Sequence, residues 1–128
     1  MTVVYLRGEE ILVAGAIACG FTTHARERDQ FEANVARPQT SAFGEDAYVG
    51  VWSKAAALLH SFATTQCLVD GNKRTAWASA WLMLRTNEIV GPLNTPLCSD
   101  VAERFIEDVS AGGVGVDEVI TQLQRFAS

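Results

Sequence analysis

Asn72-Lys73-Arg74-Thr75-Ala76-Trp77-Ala78-Ser79-Ala80-Trp81-Leu82-Met83-Leu84-Arg85-Thr86 is the stretch that decides the fold. Between Ala76 and Leu84 its only polar residue is Ser79. A helix apolar on all sides has no face for water and belongs inside a bundle. Trp77 and Trp81 share a face at a four-residue step, and the small Ala76 and Ala80 let neighbours approach closely on another. The pattern predicts a buried central helix over about 72–86, with Asn87 as a left-handed cap.

The flanking segments repeat the helical period. Upstream, Tyr48, Val51, Trp52, Ala55, Leu58, Leu59 and Phe62 recur at three- and four-residue steps, with Ser53, Lys54, His60 and Ser61 expected on the solvent side. A first helix is predicted from Gly8 to Cys19, stopped by Gly20, after a short β-branched segment, Met1 to Leu6, read as extended. A second is predicted from about Arg26 to the residue before Pro38, then a loop from Pro38 to Gly44. Downstream, a helix from Asp100 is expected to bury Val101, Phe105 and Val109, and one from Asp117 to bury Ile120, Leu123 and Phe126. Gly112, Gly113 and Gly115 supply the turn between them. Nothing alternates at period two over a useful length, so the expected fold is all-α, one domain spanning 1–128.

The whole chain has 128 residues, 48% hydrophobic and 20% charged, which fits one packed core. A net charge of −5 argues against binding nucleic acid through the overall field. Three cysteines without C-x-x-C spacing, Cys19, Cys67 and Cys98, argue against a disulfide framework or a zinc site and are read as reduced thiols. The longest apolar run, Ile11 to Phe21, falls short of the roughly 18 residues a membrane span needs. Glu9 and Glu10 at its start oppose a signal peptide, and they also oppose reading Ala16-Ile17-Ala18-Cys19 as a lipoprotein cleavage box. The expectation is a cytoplasmic protein.

Chemistry concentrates in Val69-Asp70-Gly71-Asn72-Lys73-Arg74-Thr75, which opens the buried helix. The first helical turn has unpaired N–H groups and the positive end of the macrodipole. Gly71 lets the backbone approach a ligand, and Lys73 and Arg74 add two cations there. That is the chemistry of a phosphate cradle, with Asp70 as a hard oxygen ligand for Mg²⁺. Asp-Gly-Asn is also an ordinary turn and cap sequence, and a helix start with solvated cations is the plainer reading. A Walker A loop is excluded, because the residues upstream of Gly71 lack its glycine spacing.

Asp70-Gly71-Asn72-Lys73-Arg74-Thr75, preceded by Lys54-Ala55-Ala56-Ala57-Leu58-Leu59, resembles the Fic/Doc family, on its Doc (death-on-curing) side. Ala36-Arg37-Pro38-Gln39, Tyr48 and the opening Tyr5-Leu6 are similar too, so the likeness covers nearly the whole chain. The resemblance implies a helical bundle whose signature loop binds the phosphates of ATP. In this chain the metal ligand would be Asp70 and the nucleotide-binding set Gly71, Asn72, Lys73, Arg74 and Thr75. It implies a toxin, neutralised by a small antitoxin, that transfers phosphate to a hydroxyl of elongation factor Tu. AMP transfer, the activity of Fic members, is disfavoured by Trp77, which stands where those members often carry a second arginine. No membrane or nucleic-acid partner is implied.

The family pattern opens with a histidine four residues before the acidic position and a phenylalanine two residues after that histidine. Here Gln66-Cys67-Leu68 stands there. The family's histidine is the general base, and a glutamine amide has no usable basicity near neutral pH. General-base assistance is worth about 10²–10⁴-fold, so activity is expected to be severely impaired. Leu68 keeps an apolar anchor for the loop. His60, on the expected solvent face, and His24, in a loop, are poor substitutes, and Cys67 reads as a small buried hydrophobe. A catalytically silent homologue that binds a nucleotide or a protein, and a plain interaction module, are the competing readings.

Overall fold

Asn72–Thr86 forms one unbroken helix through the centre of the molecule in the computed structural model, which describes residues 2–96 and 98–128. Among these residues the helices are α1 (Gly8–Cys19), α2 (Arg28–Ala36), α3 (Val51–Thr64), α4 (Asn72–Thr86), α5 (Asp100–Ser110) and α6 (Val116–Ala127). Short 3-10 turns at Arg37–Gln39 and Pro92–Asn94, and a hairpin of β1 (Ser41–Ala42) with β2 (Glu45–Asp46), complete the elements. The fold is all-α, as the periodicity predicts.

Helix α4 buries Thr75, Ala76, Ser79, Ala80, Met83 and Leu84 completely and packs mainly against α3, α1 and α5. Ser79 satisfies its hydroxyl by donating to the Ala76 carbonyl at 3.0 Å. Trp77 meets Trp81 edge-on at 5.5 Å and Phe126 at 5.1 Å, a geometry that aligns ring edges with ring faces. On the opposite side Gly15 of α1 lies against Thr75; a Cβ there would collide with the Thr75 hydroxyl. The missing side chain is what lets α1 approach α4.

The sequence reading of α3 needs correction. Lys54 and Ser61 are buried, not solvent-facing, and Lys54 is 1% exposed. The Lys54 ammonium donates to the Tyr48 carbonyl at 2.6 Å, to Asp46 Oδ2 at 3.0 Å and to the Pro38 carbonyl at 3.4 Å. Burial alone would lower its pKa; Asp46 and Tyr5 outweigh that, and the net displacement is upward. The charge therefore survives in the core because its donors are taken. The predicted Pro38–Gly44 loop thus holds a 3-10 turn and half of a small hairpin, both tied to α3.

His60 is half-buried as well. Its Nδ1 lies 3.0 Å from Arg37 Nη1, which also donates to Ser61 Oγ at 2.7 Å, while Arg37 Nε donates to the Tyr48 hydroxyl at 3.0 Å.

Other registers shift. Helix α5 starts at Asp100 with Ser99 as its cap, accepting from the Ala102 N–H at 3.3 Å. It buries Ala102, Ile106 and Val109; Val101 is exposed and Phe105 only half-buried. Helix α6 buries Val119 and Leu123, with Ile120 and Phe126 half-buried. Helix α2 begins at Arg28 rather than Arg26. Asn87 has φ −93°, so it is not a left-handed cap. Its side-chain amide instead pairs with the Val4 backbone, accepting from N–H at 2.7 Å and donating to C=O at 2.9 Å. Residues 2–6 carry no strand, and Met1 lies outside the described residues.

Two outcomes follow from these buried polar groups. Lys54→Ala strands the acceptors that hold the hairpin and opens a void, so urea unfolding should show a loss of about 2–4 kcal/mol. Burial first, then the Arg37 charge, push the His60 pKa down, and a backbone contact at Val114 offsets only part. A base with a depressed folded value stabilises the fold above its unfolded value, about 6.5. That contribution is lost as pH falls through the folded value, because the unfolded chain takes the proton first. The melting temperature should therefore drop more steeply below about pH 6.5 in the parent than in His60→Gln, read by circular dichroism across the titration.

Candidate anion-binding site at the start of the central helix

The α3–α4 connection is sewn to the segment between α1 and α2. The Cys67 carbonyl accepts from the Arg26 N–H at 2.7 Å and the Glu27 N–H at 3.0 Å. The Val69 N–H donates to the His24 carbonyl at 2.9 Å, beside a bridge between Ala25 and Leu68. Thr23 Oγ1 donates to the Asp70 carbonyl at 2.6 Å. Leu68 and Cys67 are fully buried, so the expected apolar anchor is present. Burial pushes the Cys67 thiol pKa up, and Asn34 Nδ2 approaches its sulfur at 3.4 Å.

Asn72 plays a different part from the one expected. Its amide accepts from the Leu68 N–H at 3.0 Å and donates to the Leu68 carbonyl at 3.2 Å. Both ends of the amide are committed to closing the loop, so Asn72 braces the site. Gly71 has φ +79°, and a Cβ on it would lie 2.7 Å from Cys19 Sγ. Left-handed backbone and steric contact both demand glycine here.

No side chain caps the α4 N-terminus. The first-turn N–H groups of Asn72, Lys73 and Arg74 therefore have no helical partner. They border an open cleft of about 450 Å³ whose lining includes Gln66, Asp70, Gly71, Asn72, Lys73 and Arg74. The structure thus brings together every predicted site residue except Thr75. Thr75 is buried against Gly15, away from that lining, and its hydroxyl has no hydrogen-bond partner among the described residues.

Lys73 is exposed and forms no ion pair among the described residues. Arg74 Nη2 lies 3.2 Å from Glu103 Oε1 on α5. Asp70 is exposed; its Oδ1 accepts from the Gly71 N–H at 2.8 Å, and its other oxygen accepts no hydrogen bond among the described residues. Asp70 is the one carboxylate in the lining, and no cluster of three metal-ligating residues exists among the described residues. One carboxylate beside a cationic helix start fits a Mg²⁺ ion shared with phosphate oxygens, and not a self-contained metal cage.

Gln66 is exposed in the lining, and its backbone carbonyl accepts from Arg26 Nη2 at 2.7 Å. Neither histidine lines the cleft. Cys19 does, but burial pushes its thiol pKa up despite the Arg74 charge nearby, which keeps it protonated. Cys19, Phe21, Ala63 and Ser110 in the lining, with Thr23, Arg26 and Glu103 bonded to residues of the lining, escaped the sequence reading as site residues. Only long-range packing brings them there, and no local pattern marks them.

With this geometry in hand, the comparisons agree on one class: the chain belongs to the Fic/Doc family, whose model matches residues 7–84. A curated relative named Toxin Doc, from Mycolicibacterium smegmatis (strain ATCC 700084 / mc(2)155), is 43% identical over 124 residues, covering 97% of this chain and 94% of the relative. No solved structure matches the chain significantly. No described helix is long and apolar enough to cross a membrane.

The loop geometry carries its own test. Gly71→Ala should destabilise the fold by about 1–3 kcal/mol through left-handed strain and the sulfur contact. Adding Cys19→Ala should recover the steric part and leave the strain, which a double-mutant cycle of chemical unfolding measures.

Proposed function

We propose that residues 1–128 form a single Doc domain acting in the cytoplasm as the toxin of a toxin–antitoxin pair. In this reading the cleft binds ATP with Mg²⁺ and the protein directs phosphate, in preference to AMP, onto a hydroxyl of a translation factor such as elongation factor Tu. A small antitoxin protein neutralises it. The name of the 43%-identical relative supports the toxin assignment. The observation that carries the chemistry is the uncapped α4 start, with Lys73 and Arg74 flanking it and Asp70 one residue before the turn.

Each residue has a definable task. The first-turn N–H groups of α4 would receive phosphate oxygens, which the macrodipole favours. Lys73 is a mobile point charge, and Arg74 a planar fork able to grip two oxygens at once. The free oxygen of Asp70 would hold the metal. Bound MgATP would supply the transferable phosphoryl group. Gln66 occupies the place of a base and can orient a target hydroxyl by hydrogen bonding, but it cannot accept the proton.

Gln66 also favours a second reading, a catalytically silent homologue that binds nucleotide or protein without transfer. One substitution separates the two. Gln66→His should transfer labelled phosphate from ATP to purified elongation factor Tu about 10²–10⁴-fold faster than the parent. Lys73→Ala should weaken MgATP binding in titration calorimetry. Binding without transfer in Gln66→His would favour the silent homologue, and absence of binding at millimolar nucleotide in both parent and variant would sink the first reading and the nucleotide-binding form of the second.

A further inference from the structure

We propose that Thr23 is a positioning residue for Asp70: its hydroxyl pins the peptide plane between Asp70 and Gly71 and thereby aims the Asp70 carboxylate at the cleft. The inference rests on the anion-site reading above. Thr23 lies between α1 and α2 and is 4% exposed. Its Oγ1 donates to the Asp70 carbonyl, 47 residues away in the chain, at 2.6 Å. That is toward the short end for a hydroxyl donor.

One peptide unit carries the argument. A trans peptide is planar, with its C=O and N–H pointing opposite ways. In the Asp70–Gly71 unit both ends are taken. Thr23 holds the C=O from the buried side, and Asp70 Oδ1 accepts from the N–H at 2.8 Å. The carboxylate is therefore tied to the N–H of its own peptide plane, and the plane is tied to Thr23. Turning the plane over would carry the N–H, and the carboxylate bonded to it, to the other side.

Gly71 makes such a turn accessible. A residue without Cβ takes either sign of φ, so holding the observed φ of +79° falls to partners outside the loop. The neighbouring backbone bond, from the Val69 N–H to the His24 carbonyl, stops short of this peptide. Thr23 supplies the contact that reaches it. A carbonyl that accepts a hydrogen bond also polarises its own amide, which makes the N–H at the other end a stronger donor. Oδ1 thus stays on Gly71, and Oδ2 is kept for the metal.

The test titrates ATP by calorimetry, once with excess Mg²⁺ and once with EDTA, with melting curves confirming that each variant folds. Metal-free ATP reads the α4 start with Lys73 and Arg74; the gain in affinity on adding Mg²⁺ reads Asp70. Thr23→Val keeps the shape and removes the donor. It should bind metal-free ATP within about twofold of the parent and lose about three- to tenfold of the Mg²⁺-dependent gain. Thr23→Ser, which keeps the hydroxyl, should retain most of that gain. In an Asp70→Asn background, Thr23→Val should bring no further loss of it. Thr23→Ala makes the same comparison if the valine variant does not fold. An undiminished gain without the hydroxyl overturns the proposal, and so does an equal loss with and without metal, which marks a general loosening of the loop. If the parent binds ATP but gains nothing from Mg²⁺, the proposal falls while the anion site stands. If the parent binds ATP under neither condition, the anion-site reading itself fails.

Discussion

The turn at Gly71 is the constraint on which the site depends. Its left-handed backbone and its contact with Cys19 fix where α4 begins. From that point the helix runs straight into the core, with Ala76, Ala80 and Leu84 sealed against its neighbours. Core packing and site geometry are therefore one problem. The same helix whose middle excludes water presents its uncapped start to the cleft, and any shift of one moves the other. A site built on a buried helix is held more firmly than one on a free loop, because its position is set by close-packed side chains.

Most polar side chains near this region are already committed to structure. Asn72 closes the loop onto Leu68, Asn87 holds the N-terminal segment, and Lys54 ties down the hairpin. Arg26 joins the connection through the Gln66 carbonyl. What is left over is informative. Lys73, the second oxygen of Asp70, and the Gln66 side chain have no structural partner among the described residues, yet all three border one cleft. Polar groups that the fold does not use, gathered at a helix start, are the groups available to a ligand.

The sequence made the helices legible because their period is local, and the loop legible because its chemistry is unusual in an acidic chain. It misplaced what depends on tertiary partners. Lys54 falls on the less apolar side of the α3 pattern, and charge ordinarily marks solvent; the Asp46 carboxylate and the carbonyls of Pro38 and Tyr48, all outside α3 itself, offset the cost of its burial. The α5 register failed because Val101 and Phe105 outrank Ala102 in hydropathy. Close packing nevertheless chose the small Ala102 for the core and left Val101 in water. Glu103 lies in the first turn of α5 with no local sign of a further role, because its partner, Arg74, lies on another helix. Asn72 read as a ligand-facing amide because nothing local reveals the bond to Leu68.

Gln66 bears on how binding and transfer relate within this scaffold. Its carbonyl accepts from Arg26, so the backbone at the position proposed for the base is held whatever side chain stands there. Exchanging a base for an amide removes proton acceptance and leaves this wiring untouched. A loop whose sole purpose was to start a helix would be best served by a side-chain cap on the first-turn N–H groups, worth roughly a few tenths of a kcal/mol over glycine. The cap residue here is Gly71, which has no side chain to offer, and two cations follow it against the macrodipole. The local arrangement thus forgoes stability that an ordinary helix start would take. That cost is consistent with an anion supplied from elsewhere, on the proposed reading by the phosphate of a ligand.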